Sequence, residues 1–236
     1  MDEQKRIELL NKAKDFFKKE IVTSHVRNGL KKSGSLVNYN VNPFLFKYLA
    51  NFLRGNGNPE SMAEALILPR VLGSSITTTF GMKIQKLIGE LFEGFGSTTS
   101  GIDIEFIDAI DGRKKYCQIK SGPNTINHDD VQTIFGHFDG IINLARTNNL
   151  NVGFQDLMVG IIYGEKQDLS SHYKSIDQRF PVFIGKDFWH HLTGKEDFYY
   201  DLIDAFGEVA LEVDGGAALR MTIQKLAREI EVKFPN

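Results

Sequence analysis

The segment from Gly101 to Gly122 constrains this chain most. Apolar and polar residues alternate on both sides of Asp111-Gly112, a dipeptide that tolerates positive φ at both positions and is a strong hairpin-turn signal. With those two residues as the turn, Ile110 faces Arg113, Glu105 faces Gln118 and Asp103 faces Lys120. Strand side chains alternate with period two, and directly opposed residues share a face. The spacing therefore predicts Asp103, Glu105, Gln118 and Lys120 on one face. Ile102, Ile104, Phe106, Cys117 and Ile119 fall on the other, which is apolar enough to be a core face.

Two carboxylates a few ångströms apart repel and attract a cation. Mg²⁺ takes oxygen ligands, usually one or two carboxylates with waters and phosphate oxygens. A lysine beside it can hold a phosphate or orient a water, and these parts together suit metal-assisted hydrolysis of a phosphodiester. The plainer alternative is a solvated hairpin face with weak cross-strand salt bridges. A bulge would scramble the face assignment.

The arrangement of Asp103 followed by Gln118-x-Lys120 on the next strand resembles the active-site signature of the PD-(D/E)xK nuclease superfamily. The wider context resembles type II restriction endonucleases, through Asn42-Pro-Phe-Leu-Phe46, Ile67-Leu-Pro-Arg-Val-Leu-Gly73, Gly96–Glu105, Gln118–Asn127 and Gly185-Lys-Asp-Phe-Trp189. The likeness runs through roughly residues 40–195 and is nearest to enzymes that read interrupted GGNCC-like palindromes. It implies Mg²⁺-dependent cleavage of double-stranded DNA at a short palindromic site. It further implies a two-fold homodimer that places a copy of the site on each strand. Asp103 would hold the metal with Gln118, Glu105 or the backbone carbonyl of Ile119. Lys120 would steady the scissile phosphate and help activate the attacking water.

One departure stands out. The acid usual two positions before the lysine is Gln118 here, which brings an oxygen but no charge. Glu105 is one candidate to supply the missing carboxylate. Relatives often add an acid from the preceding helix, which makes Glu90 the preferred candidate over Glu93 because it borders the inward stripe after Leu87. The substitution keeps two other readings open, a catalytically degenerate DNA-binding module and a structure-selective repair nuclease.

Length and composition are compatible with these readings. At 236 residues, with 42% hydrophobic and 25% charged residues, the chain can bury a substantial core. The expectation is a single nuclease domain over residues 1–236, with 1–75 a helical accessory part and 76–236 the catalytic core. The single cysteine, Cys117, excludes an internal disulfide and fits a reducing cytoplasm. The opening Met-Asp-Glu-Gln-Lys-Arg carries no apolar signal segment. No apolar run approaches the ~20 residues of a membrane span. A net charge of −2 does not exclude DNA binding, which depends on a local basic face. No small-molecule cofactor is expected.

Periodicity predicts helices over 2–20, from Pro43 to Gly55, from Pro59 to Leu68 with Pro69 closing it, over 81–95, and from His128 to about Arg146. Asn42 and Asn58 are the caps before two helix-starting prolines. Buried strands are expected at Leu157–Tyr163 and Pro181–Gly185, and helices at about 186–192, 198–207 and 217–232. That order is α/β, a small mixed sheet flanked by helices behind a helical N-terminal part.

Other residues carry weaker signals. Ser121, Asn124, Thr125, Asn127 and His128 follow the candidate lysine and suit phosphate or base contacts, although Asn127 or Asp129 also suits a helix cap. Ser97–Gly101, Arg70 and Thr77–Thr79 are further candidates for backbone contact. His190-His191 is a poor metal pair, because adjacent helical residues point about 100° apart. Phe188 and Trp189 read as core. Lys12, Lys14, Lys18, Lys19, Arg27, Lys31 and Lys32 read as a solvated helix face, with a DNA-embracing arm as the sharper alternative.

Overall fold

The computed structural model describes residues 1–92, 95–213 and 215–234, without the side chains of Arg27 and Leu211. In chain order the elements are α1 (Glu3–Phe16), α2 (Lys31–Ser33), α3 (Pro43–Arg54), α4 (Pro59–Leu68), α5 (Ile76–Leu91), β1 (Ile104–Ile107), β2 (Lys114–Lys120) and α6 (His128–Thr147). Then follow β3 (Leu157–Ile161), α7 (Ser171–Asp177), β4 (Val182–Ile184), α8 (Lys186–Thr193), α9 (Phe198–Glu212) and α10 (Gly215–Lys233). The protein is a mostly helical α/β chain with a four-stranded mixed sheet. Its contacts divide it into two compact units that interleave along the sequence, Met1–Ala13 with Ile84–Ala205 and Lys14–Lys83 with Phe206–Asn236.

The first unit holds the sheet, in the order β1-β2-β3-β4. β1 is antiparallel to β2, whereas β2, β3 and β4 are parallel. β3 is buried at every position, as a central parallel strand covered on both faces must be. One face packs Leu157, Val159, Ile161, Val182 and Ile184 against Ile134 and Phe138 of α6 and Tyr173 and Ile176 of α7. On the other, the Phe188 ring of α8 lies over Gly160, where an added Cβ would sit 2.2 Å from the ring. The Trp189 indole donates to the Ile162 carbonyl at 3.0 Å, so both aromatics are core, as the sequence suggested.

The second unit is helical. Phe46 and Ala50 of α3, Met62, Ala63 and Ile67 of α4, and Ile223, Leu226 and Ile230 of α10 form its core. Asn42 accepts from the Phe44 N–H ahead of Pro43, and Gly55 closes α3 at φ +71°. Asn58 caps α4 in the same way, accepting from the Ser61 N–H. Pro69 does not end the helical path, because π-type turns continue over Pro69–Ser75 into α5. Leu68 and Pro69 both keep right-handed helical angles, so the path goes on past the donor that proline lacks, in wider π-type turns.

The hairpin register differs from the two-residue turn. Ile104 pairs with Cys117, Glu105 with Tyr116, Phe106 with Lys115 and Ile107 with Lys114. The Asp108 N–H donates to the Arg113 carbonyl at 2.9 Å, so the loop holds the four residues from Ala109 to Gly112. Gly112 takes the left-handed position at φ +71°, the place a four-residue loop reserves for glycine. A shift of two residues preserves parity, so Glu105, Tyr116, Gln118 and Lys120 still share a face. Ahead of β1 the alternation breaks. The Asp103 N–H donates to the Cys117 carbonyl at 3.0 Å while Ile104 also pairs with Cys117, two residues against one, which is a bulge. Ile102 consequently joins the α6 core rather than the Ile104 side.

Candidate active site

The open end of the hairpin gathers the residues that the spacing singled out. Asp103 Oδ2 accepts from the Ile119 N–H at 2.6 Å, and Oδ1 accepts from Gln85 Nε2 of α5 at 2.9 Å. A strand residue sends its N–H and C=O to the same side, so the Ile119 carbonyl also turns toward β1, beyond its last ladder bond. Burial pushes the Asp103 carboxyl above the usual carboxylate range, against the Ile119 N–H, Lys120, Gln85 and His137, which favour its ionised form. The Lys120 side chain makes no hydrogen bond and no ion pair among the described residues, and its ammonium acts on Asp103 through space. Gln118 is 5% exposed, and its Nε2 lies 2.9 Å from His137 Nδ1 on α6.

Gln85 and His137 are the two contributors that the sequence did not reveal. Gln85 follows the buried Ile84 and lies on the exposed side of α5, where nothing marks it as a partner of a strand 18 residues later. His137 lies between the inward residues Ile134 and Phe138 of α6. Its ring occupies the space above Gly101, where an added Cβ would sit 2.3 Å from His137 Cγ. Gly101 is also at φ +77°, so backbone and ring both demand glycine there. A histidine at helical spacing was available as a signal, but its target was not.

Glu105 faces Tyr116 rather than Gln118, and its carboxylate is occupied. It accepts from Ser97 Oγ at 2.6 Å and Thr99 Oγ1 at 2.7 Å and pairs with Lys114 at 2.7 Å. Burial opposes the net effect, but Lys114, Ser97 and Thr99 together hold the Glu105 carboxyl below the usual carboxylate range. The loop through Ser97 and Thr99 is thereby tied to β1. Glu90 is an exposed residue of α5 that pairs with Lys86 at 3.5 Å. It lies about 140° around the helix from Gln85 at about 100° per residue. Glu93 lies outside the described residues.

In the segment after Lys120, Thr125 Oγ1 donates to the Gly122 carbonyl or shares a proton with the Tyr173 hydroxyl, each at 2.9 Å. Asn127 caps α6 in a reciprocal box with Asp130. Asn124 is exposed and Ser121 half-buried, and neither side chain bonds to another described residue.

Elsewhere the plainer readings fit the contacts. His191 Nδ1 lies 2.7 Å from Asp108 Oδ2, so this histidine supports the hairpin turn. Lys12 pairs with Glu8 and Lys18 with Glu212 at 3.1 and 2.7 Å, as a solvated face does. Arg70 donates to the Asn38 carbonyl at 2.8 Å and lies over the Tyr39 ring. The hydroxyls of Thr77 and Thr79 return to carbonyls of their own helical path. Cys117 is fully buried, and burial pushes its thiol well up, as befits core filler rather than a nucleophile.

The donor set at the open end is one carboxylate, one amide oxygen and one backbone carbonyl. These are hard oxygen donors, and they fit a divalent cation of the Mg²⁺ type rather than zinc, which favours imidazole and thiolate. Among the described residues no three His, Cys, Asp or Glu side chains cluster for a metal, and no helix is long and apolar enough to cross a membrane. No curated protein matches the chain. A family model described as type II restriction endonuclease EcoO109I matches residues 5–214, which takes in both strands of the hairpin and every residue of the site just described. The chain belongs to this family of type II restriction endonucleases, which are site-specific deoxyribonucleases.

Proposed function

We propose that the protein is a Mg²⁺-dependent endonuclease that cuts both strands of duplex DNA at a short palindromic site, leaving 5′-phosphate and 3′-hydroxyl ends. The observation that carries this reading is Lys120, an ammonium with no bonded acid among the described residues, held on β2 beside Asp103 and two residues from Gln118. Asp103, the Gln118 amide oxygen and the Ile119 carbonyl are the groups that would hold the cation. When bound, Mg²⁺ supplies Lewis acidity to the scissile phosphate and to a water. Lys120 Nζ donates to a phosphate oxygen and offsets the charge that builds there in the transition state. Its field also favours loss of a proton from the attacking water. Glu105 fixes the Ser97–Thr99 loop, and Glu90 stays on the helix surface.

Ser121 and Asn124 are the loop side chains free to meet phosphate or base edges, while Thr125 and Asn127 shape the loop that presents them. The two compact units act as one nuclease, with the helical unit accessory to the sheet-bearing one, and the enzyme works in the reducing cytoplasm.

A palindrome calls for a two-fold homodimer, and α3 offers the surface for it. Phe44, Leu45, Tyr48, Leu49, Phe52 and Leu53 are all exposed, Phe44 by 89% and Phe52 by 79%; at about 100° per residue Phe44, Leu45, Tyr48 and Phe52 lie opposite Phe46 and Ala50, Leu49 flanks them, and Leu53 lies on the near side. Fully bared aromatics present about 150–250 Å² each. The five side chains apart from Leu53 thus offer on the order of 600 Å², approaching the ~800 Å² each partner gives a stable interface. An apolar patch of that size is unusual on a monomer.

Plasmid digestion with Mg²⁺ tests the activity. Discrete fragments are expected, and run-off sequencing of their ends gives the site and the cut position. No cutting of any plasmid, or nicking that follows DNA structure rather than sequence, would overturn the reading. Sedimentation of a monomer both alone and on a cleavable duplex would remove the dimer.

A further inference from the structure

Gln118 poses a problem that a carboxylate would not. A carboxylate offers an oxygen whichever way it turns. An amide offers an oxygen at one end and two N–H donors at the other, and only the oxygen end is useful to a cation. Something must therefore decide which end of Gln118 is left for a ligand.

His137 is placed to decide it. The Gln118 nitrogen lies 2.9 Å from His137 Nδ1. An amide nitrogen only donates, so Nδ1 accepts, and a neutral ring then carries its proton on Nε2. With Nε2 of Gln118 held there, Oε1 is the end left over, and no hydrogen bond among the described residues ends on it. The ring itself has little freedom. It is carried by a long helix with a reciprocal cap, and it fills the space that Gly101 leaves open. Gln118 is almost fully buried, so water does not compete freely for its amide.

We propose that His137 is a positioning residue, which fixes the Gln118 amide with its oxygen free for the cation and so lets glutamine stand where the superfamily usually has an acid. The proposal rests on the metal-dependent nuclease reading above. It goes beyond that reading by making the fitness of Gln118 conditional on a residue of α6. It also predicts that the need for His137 vanishes when residue 118 has two equivalent oxygens.

The test is a double-mutant cycle on the full chain, comparing wild type, His137→Phe, Gln118→Glu and the double variant. Phenylalanine keeps a ring over Gly101 but has no acceptor. Mn²⁺ alone is titrated into each protein and the free ion counted by electron paramagnetic resonance. The Mg²⁺ concentration for half-maximal plasmid cleavage is measured in parallel. His137→Phe is expected to weaken Mn²⁺ binding at least 10-fold in the Gln118 protein and less than 3-fold in the Gln118→Glu protein. His137→Asn, which keeps an acceptor oxygen, is expected to restore part of the affinity, and thermal unfolding checks that each variant is folded. Equal losses in both backgrounds mean a structural role and overturn the proposal, as does no loss in either or a His137→Phe protein that does not fold in either. Wild type that binds no Mn²⁺ and cuts no DNA overturns the metal-nuclease reading itself, a result distinct from equal losses in a protein that binds and cuts.

Discussion

The two ends of one hairpin treat charge in opposite ways. At the turn end, Lys115 is 2% exposed yet fully compensated. Its ammonium meets Asp111 at 2.5 Å, the Gln155 carbonyl at 3.0 Å and the buried Asp108 at 3.7 Å. Asp108 in turn meets His191 and accepts from the Ile110 N–H at 2.9 Å. Next to it Arg113 reaches Asp156 through Nε at 2.6 Å. At the open end, roughly 16 Å of strand away at about 3.3 Å per residue, Asp103 is partly buried and, among the described residues, has no salt-bridge partner, while the Lys120 ammonium has no bonded acid. The same residue types build a closed network in one place and leave valences open in the other. Charges that satisfy each other hold a fold together; charges left incomplete are available to a substrate.

Substitutions should separate the two ends. Lys115→Ala is expected to have the largest effect on folding, because it leaves Asp108 buried short of a cation. Breaking a buried pair from one side costs about 3–5 kcal/mol, and denaturant unfolding would show it. Cleavage should fall only with the folded fraction. A stable Lys115→Ala protein with little catalysis would mean that the turn network serves the chemistry instead.

Lys120→Ala should do the reverse. Losing a preorganised donor to a transition-state charge commonly costs 10²- to 10³-fold in rate, or about 3–4 kcal/mol. The unfolding midpoint should stay within the scatter of surface variants, since the Lys120 side chain bonds to nothing among the described residues. Near-normal cutting by this variant would place the active site elsewhere.

On stability, Asp103 should matter less than Lys115. Its raised carboxyl pKa means that metal-free stability is fully present below the unfolded-state value and is lost as pH rises through the folded-state value. At neutral pH the ionised group is therefore a burden. Asp103→Asn should raise metal-free stability at neutral pH, because the amide is not penalised by burial as the carboxylate is, while abolishing cleavage. A marked drop in melting temperature would show that its bonds to Ile119 and Gln85 outweigh its desolvation.

Smallest should be Glu105→Gln, whose carboxylate already serves Lys114 and the Ser97–Thr99 hydroxyls. The exposed Lys114 pair is worth no more than about 1 kcal/mol, and the Mg²⁺ dependence of cleavage should move less than threefold. A sharp loss of metal affinity would instead assign Glu105 to the cation.

Much of this fold follows from local rules. Asn42-Pro43 and Asn58-Pro59 start helices because an asparagine side chain replaces a missing backbone partner and proline has no N–H to lose. Asn127 starts α6 on the same principle. The hairpin exists because its residues alternate, and Glu105, Gln118 and Lys120 kept a common face through an error of two in the register because parity is insensitive to even shifts, whereas the bulge at Asp103 broke the alternation. Short segments were less legible. α7, with the seven residues from Ser171 to Asp177, is too brief for a periodic signal. Pro69 looked like a stop because proline ends most helices, yet here it begins the next turn.

What the sequence determined by itself, then, is which residues one pair of strands can bring together: spacing puts Gln118 and Lys120 on one face of β2, whereas Asp103 reaches the Ile119 N–H from beyond a bulge that the spacing did not show. Only the tertiary structure decided who orients them. Gln85 reaches Asp103 from a helix that precedes β1, and His137 reaches Gln118 from one that follows β2. Likewise α10 shares a core with α3 and α4 from the far end of the chain. The physical reason is the range of the forces involved. Backbone hydrogen bonding and side-chain alternation act between near neighbours and leave a period in the sequence. Packing between elements depends on which apolar faces meet once the chain has folded, and no local pattern records that choice.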